Sequence, residues 1–105
     1  ENMSVVVAAR ARQKRRNAPE DAMAKQYAEI GGRVRAIREA FSDLTQAEFA
    51  ARHGFNEDQY GTWERGARRI PVECAERLSD AYGLSLDWIY RGRRDGLSDT
   101  AAKIL

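Results

Sequence analysis

Apolar side chains recur at three- and four-residue intervals over most of this chain, which is the spacing of an amphipathic helix. The first such stripe extends from about residue 23 to residue 41, and its members are Tyr27, Ile30, Val34, Ile37 and Phe41. Asn17 and Pro19 are typical of a helix start, because proline suits the first turn. Gly31 and Gly32 interrupt the stripe without changing its phase, so the sequence predicts either one long weakened helix or a kink at this pair.

Two short helices joined by a tight turn are predicted within residues 44–66. Thr45 and Glu48 have the spacing of a capping box at the start of the first helix, and Gly54 ends that helix. Asn56 can cap the second helix. The residues expected to face inward are Phe49, Ala50, His53, Phe55, Tyr60 and Trp63. A helix, a turn containing glycine and a second helix form the layout that places one helix in the DNA major groove.

Two further helices and a helical tail are predicted after residue 66. Pro71 favours the start of the first, which Gly83 ends, and Ser85 caps the second, which ends before Gly92. The buried positions expected here are Cys74, Ala75, Leu78, Ala81, Tyr82, Trp88 and Ile89. The apolar tail positions that share one helix face are Leu97, Ala101, Ile104 and Leu105. So short a helix needs packing against the domain or against a second subunit.

Composition excludes several classes of protein. With 105 residues, of which 43% are apolar and 32% charged, the chain is expected to form one all-α domain. One cysteine, Cys74, and one histidine, His53, provide neither an internal disulfide nor an imidazole cluster, so we expect no metal, no cofactor and a reducing, cytoplasmic compartment. Packing roles are expected for both residues. No signal peptide and no membrane-spanning segment is predicted.

Positive charge is concentrated at the start of the chain. Residues 1–17 contain one acid, Glu1, and five cations, which are Arg10, Arg12, Lys14, Arg15 and Arg16. This segment therefore has a net charge of about +4 against a total of +2, which leaves about −2 for the rest. Any attraction to nucleic acid must then be local. The segment is either a solvated tail or an arm that reaches into the DNA minor groove.

Three motifs stand out within residues 30–92. They are Leu-Thr-Gln-Ala-Glu-Phe-Ala at residues 44–50, Tyr-Gly-Thr-Trp-Glu-Arg-Gly at residues 60–66, and Gly-Leu-Ser-Leu-Asp-Trp-Ile-Tyr-Arg-Gly at residues 83–92. With these motifs at this spacing, residues 30–92 resemble the helix-turn-helix DNA-binding domains of the phage lambda repressor and Cro type, also called xenobiotic-response-element-like regulators.

The resemblance implies an all-α, five-helix bundle that binds double-stranded DNA, usually as a dimer on a palindromic operator, and acts as a transcriptional regulator. The predicted domain extends over residues 18–92, between a basic N-terminal arm at residues 1–17 and a short C-terminal tail at residues 93–105. By position, the implied base-reading residues are Glu57, Asp58, Gln59 and Thr62, and the implied phosphate-binding residues are Gln46, Arg65, Arg68 and Arg69. Gln46 either binds a phosphate or braces the recognition helix, and Glu64 ties the turn to its neighbours.

Two features of the predicted recognition helix have more than one interpretation. Glu57 and Asp58 either cap the helix and stabilise its dipole, or accept hydrogen bonds from cytosine amino groups despite repulsion by phosphates. Gly61 either lets the backbone approach DNA closely or meets a packing requirement.

The acidic helix tip supports an alternative to the regulator hypothesis, namely a protein-interaction module on the same fold, antitoxin-like or an adaptor, with a polypeptide partner. An enzyme is disfavoured, because one histidine and scattered acids form no nucleophile and base pair.

Overall fold

The computed structural model describes residues 26–105, and these residues form six α-helices and no β-strand. In chain order the helices are α1 (Ala28–Phe41), α2 (Gln46–His53), α3 (Glu57–Glu64), α4 (Val72–Tyr82), α5 (Leu86–Arg91) and α6 (Asp99–Ile104). The predicted all-α class is therefore confirmed, with the sixth helix lying in the predicted tail. The basic arm and the predicted helix start at Asn17 and Pro19 lie outside the described residues.

One apolar core joins all six helices. Its buried members are Val34, Ile37, Phe49, Ala50, Phe55, Tyr60, Trp63, Ile70, Ala75, Leu78, Leu84, Trp88, Ile89 and Ala101. Both tryptophans lie in this core, which confirms that they are packing residues and not a stacking platform for bases. His53 and Tyr82 are half-buried at its edge, where the His53 Nε2 and the Tyr82 hydroxyl lie 2.8 Å apart.

Helix α1 differs from the prediction at its start. It begins at Ala28, after a turn at Tyr27 whose backbone angles (φ −117°, ψ 21°) lie outside the α-helical region. The expectation of one helix continuing from before Tyr27 is therefore wrong. The helix then passes through Gly31 and Gly32 without a break, so the interruption lies at Tyr27 and not at the glycine pair.

Gly31 is the point at which α1 meets α3. A Cβ atom at this position would lie 2.6 Å from the backbone oxygens of Trp63 and Glu64 and 2.9 Å from the backbone nitrogen of Gly66. Such distances are shorter than real contacts, so only glycine allows this approach. The neighbouring Gly32 has no described atom within 4 Å of its would-be Cβ. The two adjacent glycines therefore have different roles.

Helices α4 to α6 close the other side of the core. Ala75 and Leu78 are buried and Tyr82 is half-buried, at spacings of three and four residues. Ala81, which was expected to be buried, is exposed because it lies about 100° around the helix from Tyr82.

The tail packs on the domain itself. Ala101 of α6 is fully buried, and the Ser98 N–H donates to the Gly83 carbonyl at 2.9 Å. Within the tail, Arg94 Nη2 donates to the Ala102 carbonyl at 2.7 Å. These contacts provide the packing that the short helix requires. Ile104, predicted to share the buried face, is 47% exposed, because only one side of this six-residue helix faces the core.

Candidate nucleic-acid interface

The turn between α2 and α3 has the predicted local chemistry. Thr45 Oγ1 accepts from the Glu48 N–H at 3.2 Å and Glu48 Oε1 accepts from the Thr45 N–H at 3.0 Å, which completes a capping box. Gly54 ends α2 in the left-handed conformation at φ 74°. Asn56 Oδ1 accepts from the Gln59 N–H at 3.0 Å, so α3 starts where the sequence predicted.

Helix α3 has a buried face and an exposed face. Tyr60, Trp63 and Glu64 are buried against α1 and α2. The four predicted base-reading residues lie on the other side: Glu57, Asp58 and Gln59 are exposed, and Thr62 is half-exposed. The fold places Asp58, Gln59 and Thr62 within about 100° of one another around the helix axis, and Glu57 is exposed at the N-terminal tip of the helix. We call these four accessible positions the outer face of α3.

The Thr62 hydroxyl is already engaged within the helix. Its Oγ1 donates to the Gln59 carbonyl at 2.6 Å, so this proton is not available to a base while that bond persists. Thr62 can still accept a hydrogen bond from a base amino group or contact a thymine methyl group.

Glu57 and Asp58 occupy the first turn of α3, directly after its cap. This placement suits dipole stabilisation, because the first helical N–H groups carry partial positive charge. Among the described residues neither carboxylate is in a salt bridge. Both negative charges are therefore exposed at the tip of the outer face.

A buried ion pair fixes the other side of α3. Arg38 of α1 donates from Nε to Glu64 Oε2 at 2.8 Å and from Nη2 to Glu64 Oε1 at 3.0 Å. The side chains of Arg38 and Glu64 are 14% and 2% exposed. A third donor, Arg38 Nη1, bonds the Leu44 carbonyl at 3.0 Å, so one guanidinium connects α1, the entry to α2 and the end of α3.

Gln46 completes this network. Its Nε2 donates to Glu64 Oε1 at 2.9 Å, which is the bracing contact that the sequence left as one of two roles. Burial alone would raise the pKa of the Glu64 carboxyl, but hydrogen bonds from Arg38 and Gln46, with the Tyr60 hydroxyl close by, hold that pKa below its ordinary value. Burial beside this carboxylate raises the pKa of Tyr60. Glu64 is therefore an ionised structural residue, as the sequence indicated.

The three predicted phosphate-binding arginines follow α3. Arg65, Arg68 and Arg69 are all exposed, and the Ala67 and Arg68 N–H groups donate to the Thr62 carbonyl at 3.0 and 3.2 Å, which closes the loop tightly on the helix end. The guanidinium of Arg69 lies over the Tyr90 ring at 4.6 Å, and the Tyr90 hydroxyl donates to the Ile70 carbonyl at 2.6 Å. Helix α5 thus holds Arg69 in place.

An open depression of about 610 Å³ connects this loop with the outer face. Its lining residues are Tyr27, Gln59, Trp63, Ala67, Arg68, Arg69 and Pro71. Gln59, a candidate for base contacts, therefore lies beside Arg68 and Arg69, which are candidates for phosphate contacts. Base contacts and phosphate contacts occur together in protein–DNA interfaces.

Two structural residues of the site were missed from sequence. Arg38 is 26 positions from Glu64, and no local pattern indicated that they pair. Gly31 was interpreted only as a weak point of its helix. Glu64 was the signal that could have indicated this pairing, since a carboxylate that ties the turn to its neighbours needs a cationic partner if it is buried.

Other candidate chemistry contributes nothing further to the site. Burial raises the pKa of the half-buried Cys74 thiol, which makes it a poor nucleophile. In the part of the chain that the structure describes, no three histidine, cysteine or acidic residues cluster as metal ligands would. No helix within residues 26–105 is long and apolar enough to span a membrane. The five cations of the arm lie outside that part.

The capped helix, glycine turn and second helix, with one face of the second helix exposed, define a helix-turn-helix domain. A family model described as a helix-turn-helix domain matches residues 29–89, more than half of the chain. The chain belongs to this family. No curated protein and no solved structure matched it.

Proposed function

We propose that this protein is a sequence-specific, double-stranded DNA-binding transcriptional regulator that acts as a dimer on a palindromic operator. The observation that carries the proposal is the outer face of α3, where Gln59 and Thr62 lie accessible beside the arginines of the following loop. In a helix-turn-helix domain this face enters the major groove. The proposal includes the assignment of this domain to the lambda repressor and Cro type.

The division of roles follows from chemistry. Gln59 and Thr62 read base edges, because an amide or a hydroxyl matches the donor and acceptor pattern of the groove. Arg65, Arg68 and Arg69 bind phosphates and supply affinity. The basic arm at residues 1–17 adds electrostatic attraction, and its removal should flatten the salt dependence of binding. A homodimer places two such faces on neighbouring half-sites.

Selection from random duplex DNA, followed by binding measurements over a range of salt concentrations, tests the proposal. We expect one enriched palindromic sequence, with affinity that falls as salt rises, because phosphate contacts release counterions. Half-sites about 34–36 Å apart would match a two-fold dimer. No enriched sequence together with no salt-sensitive binding would overturn the regulator proposal.

A protein-interaction module is the second candidate, and one observation favours it. Glu57 and Asp58 place two exposed carboxylates where DNA phosphates would repel them. A basic polypeptide would instead be attracted. Binding of such a partner that Glu57→Gln with Asp58→Asn abolishes, in a protein that selects no DNA, would establish this function.

A further inference from the structure

Tyr27 lines the depression beside α3, although the spacing of apolar residues indicated only a packing role for it. Gln59 of the outer face and the loop residues Arg68 and Arg69 line the same depression. Tyr27 directly precedes α1. A residue from a third part of the chain therefore joins the surface to which DNA contacts are proposed.

The close approach of α1 to α3 accounts for this placement. The Gly31 N–H donates to the Tyr27 carbonyl at 2.9 Å, so one helical hydrogen bond joins the two residues. A Cβ atom at Gly31 would lie 2.6 Å from the backbone oxygens of Trp63 and Glu64, which shows how closely the two helices approach. Tyr27 lies about one turn before this crossing, and it is therefore held beside the loop that follows α3.

The Tyr27 hydroxyl is available to a partner. The chain has four tyrosines. The hydroxyls of Tyr82 and Tyr90 are hydrogen-bonded within the fold, and that of Tyr60 is buried. Tyr27 is half-exposed, and its hydroxyl is in no hydrogen bond with another residue in the range 26–105. A phenol hydroxyl in this position can donate one hydrogen bond.

The side chains around the depression indicate the chemistry of its occupant. Arg68 and Arg69 supply charged hydrogen-bond donors, and Gln59 and Tyr27 supply neutral ones. The first three are exposed and Tyr27 is half-exposed, so a partner can reach all four. No acidic residue of the described range belongs to the lining. Phosphate oxygens accept from both kinds of donor and are attracted by the cations, so a backbone phosphate of DNA matches this set.

We propose that Tyr27 is a further DNA-binding residue, whose hydroxyl donates to a backbone phosphate lying over the depression beside Arg68 and Arg69; this inference rests on the proposed DNA-binding function. A phosphate matches Tyr27 better than a base edge does, for two reasons. Tyr27 precedes α1 and is not part of α3, the helix that enters the groove. The two cations beside it attract the charged DNA backbone and not the uncharged bases.

Tyr27→Phe tests the inference, because it removes the hydroxyl and keeps the ring. We expect this variant of the intact chain to bind the selected operator and unrelated duplex DNA about tenfold more weakly, since a hydrogen bond to a charged oxygen is lost and phosphate contacts do not depend on sequence. The salt dependence of binding should not change, because the hydroxyl carries no charge. Arg68→Ala should also weaken binding, but with a salt slope reduced by about 1.

Tyr82→Phe is the matched control, because it removes a tyrosine hydroxyl that bonds His53 and does not line the depression. This control should bind both DNAs as the parent protein does. Thermal unfolding should show that Tyr27→Phe melts at the temperature of the parent protein, since no hydrogen bond to a described residue is lost.

A second measurement locates the contact. Operators in which one phosphate at a time is replaced by an uncharged methylphosphonate are titrated with the parent protein and with Tyr27→Phe. At the phosphate that Tyr27 contacts, the parent protein should lose most of its advantage over the variant, because both changes remove the same interaction. Replacement of distant phosphates should leave that advantage unchanged.

Each other result has a defined meaning. Unchanged DNA binding by Tyr27→Phe, when the parent protein binds, overturns this inference alone. Weaker binding to the operator only would place Tyr27 against a base, and an advantage that no single phosphate replacement reduces would exclude a phosphate contact; either result overturns it. A lower melting temperature for Tyr27→Phe would show that the hydroxyl acts within the fold, which also overturns it. A parent protein that binds no DNA overturns the proposed function and this inference with it.

Discussion

The buried and exposed faces of α3 differ in how their side chains are held. On the inner face Glu64 accepts three hydrogen bonds, two from Arg38 and one from Gln46, and Trp63 and Tyr60 are packed in the core. On the outer face Glu57 and Asp58 are in no salt bridge with a described residue. The helix is therefore positioned by contacts on its inner side, and the outer side chains remain accessible among the described residues.

This difference means that changes on the two faces should affect different measurements. Inner-face variants should alter the free energy of unfolding, because they leave buried groups unsatisfied or create clashes. Outer-face variants should alter binding, and they should change the free energy of unfolding only where a charge near the start of α3 interacts with the helix dipole. An inner-face variant that changes DNA binding without changing stability would show that the two faces are not independent.

Glu64→Ala should have the largest effect. It leaves the 14% exposed Arg38 guanidinium without its carboxylate, and breaking a buried pair in this way costs about 3 kcal/mol. Chemical denaturation measures the loss. The matched control is Glu39→Ala, which breaks the exposed pair between Arg35 and Glu39 and should cost at most about 0.5 kcal/mol. Similar losses for both variants would contradict the structural role of the buried pair.

Gly31→Ala should destabilise the fold by about 2 kcal/mol, because the backbones of α1 and α3 must move apart to admit the methyl group. The adjacent Gly32→Ala should instead stabilise it by up to about 1 kcal/mol, since no atom of residues 26–105 would lie within 4 Å of the added Cβ. Thermal unfolding of the two variants side by side distinguishes them. A stable Gly31→Ala protein would mean that α1 and α3 do not approach so closely.

Arg69→Ala should weaken binding to all duplex DNA about tenfold and reduce the salt slope by about 1, because a phosphate contact is lost. Thr62→Ala should instead change which bases are preferred, with a smaller loss on average. Parallel binding measurements on the operator and its single-base variants test both. Arg91→Ala, which removes the same charge from α5, serves as the control for net charge. A base preference altered more by Arg69→Ala would show that the groove-facing surface is misplaced.

Glu57→Gln with Asp58→Asn should destabilise α3 by about 0.3–1 kcal/mol for each residue, through the lost dipole interaction. The same double variant should bind DNA more tightly, because two charges that phosphates repel are gone. Denaturation and DNA titration at low salt measure the two effects. An altered base preference would instead identify these carboxylates as readers of cytosine.

Acidification should change the free energy of unfolding less than any of these substitutions. Burial raises the pKa of Glu64 and hydrogen bonding lowers it, so the two effects oppose each other, and the net shift is downward from 4.5. A carboxyl with a lowered folded-state pKa stabilises the fold above its unfolded value, and that contribution is lost as pH falls through the folded value. The unfolding free energy of the parent protein should therefore decline below about pH 4.5. Glu64→Gln, followed by urea denaturation, should lack this component, while the Glu48 capping box contributes in the same range in both proteins.

The parts of the fold that local chemistry determines could be predicted from the sequence. Thr45 with Glu48, Asn56 and Ser85 all cap helices as expected, since each cap depends on residues within three positions. The exposed placement of Glu57, Asp58 and Gln59 agrees with the groove-facing positions that the family resemblance implied.

Features that depend on distant contacts could not be predicted. Gly31 and Gly32 are equivalent in the sequence, and only the position of α3 makes one essential to close packing. The pairing of Arg38 with Glu64 joins residues in different helices, and the exposure of Ile104 depends on how α6 lies on the domain. Tertiary geometry decides each of these.

The stacking of Arg69 on Tyr90 has a consequence for the entropy of binding. A free arginine side chain gives up close to 2 kcal/mol of rotamer entropy when it is immobilised. Arg69 has already lost part of this rotamer entropy in the unbound protein, because its guanidinium lies 4.6 Å from the centre of the Tyr90 ring. Arg68, which is exposed on the same loop, has no such aromatic contact among the described residues. Of two neighbouring cations with equal charge, Arg69 is therefore the one whose proposed phosphate contact would order less of the chain.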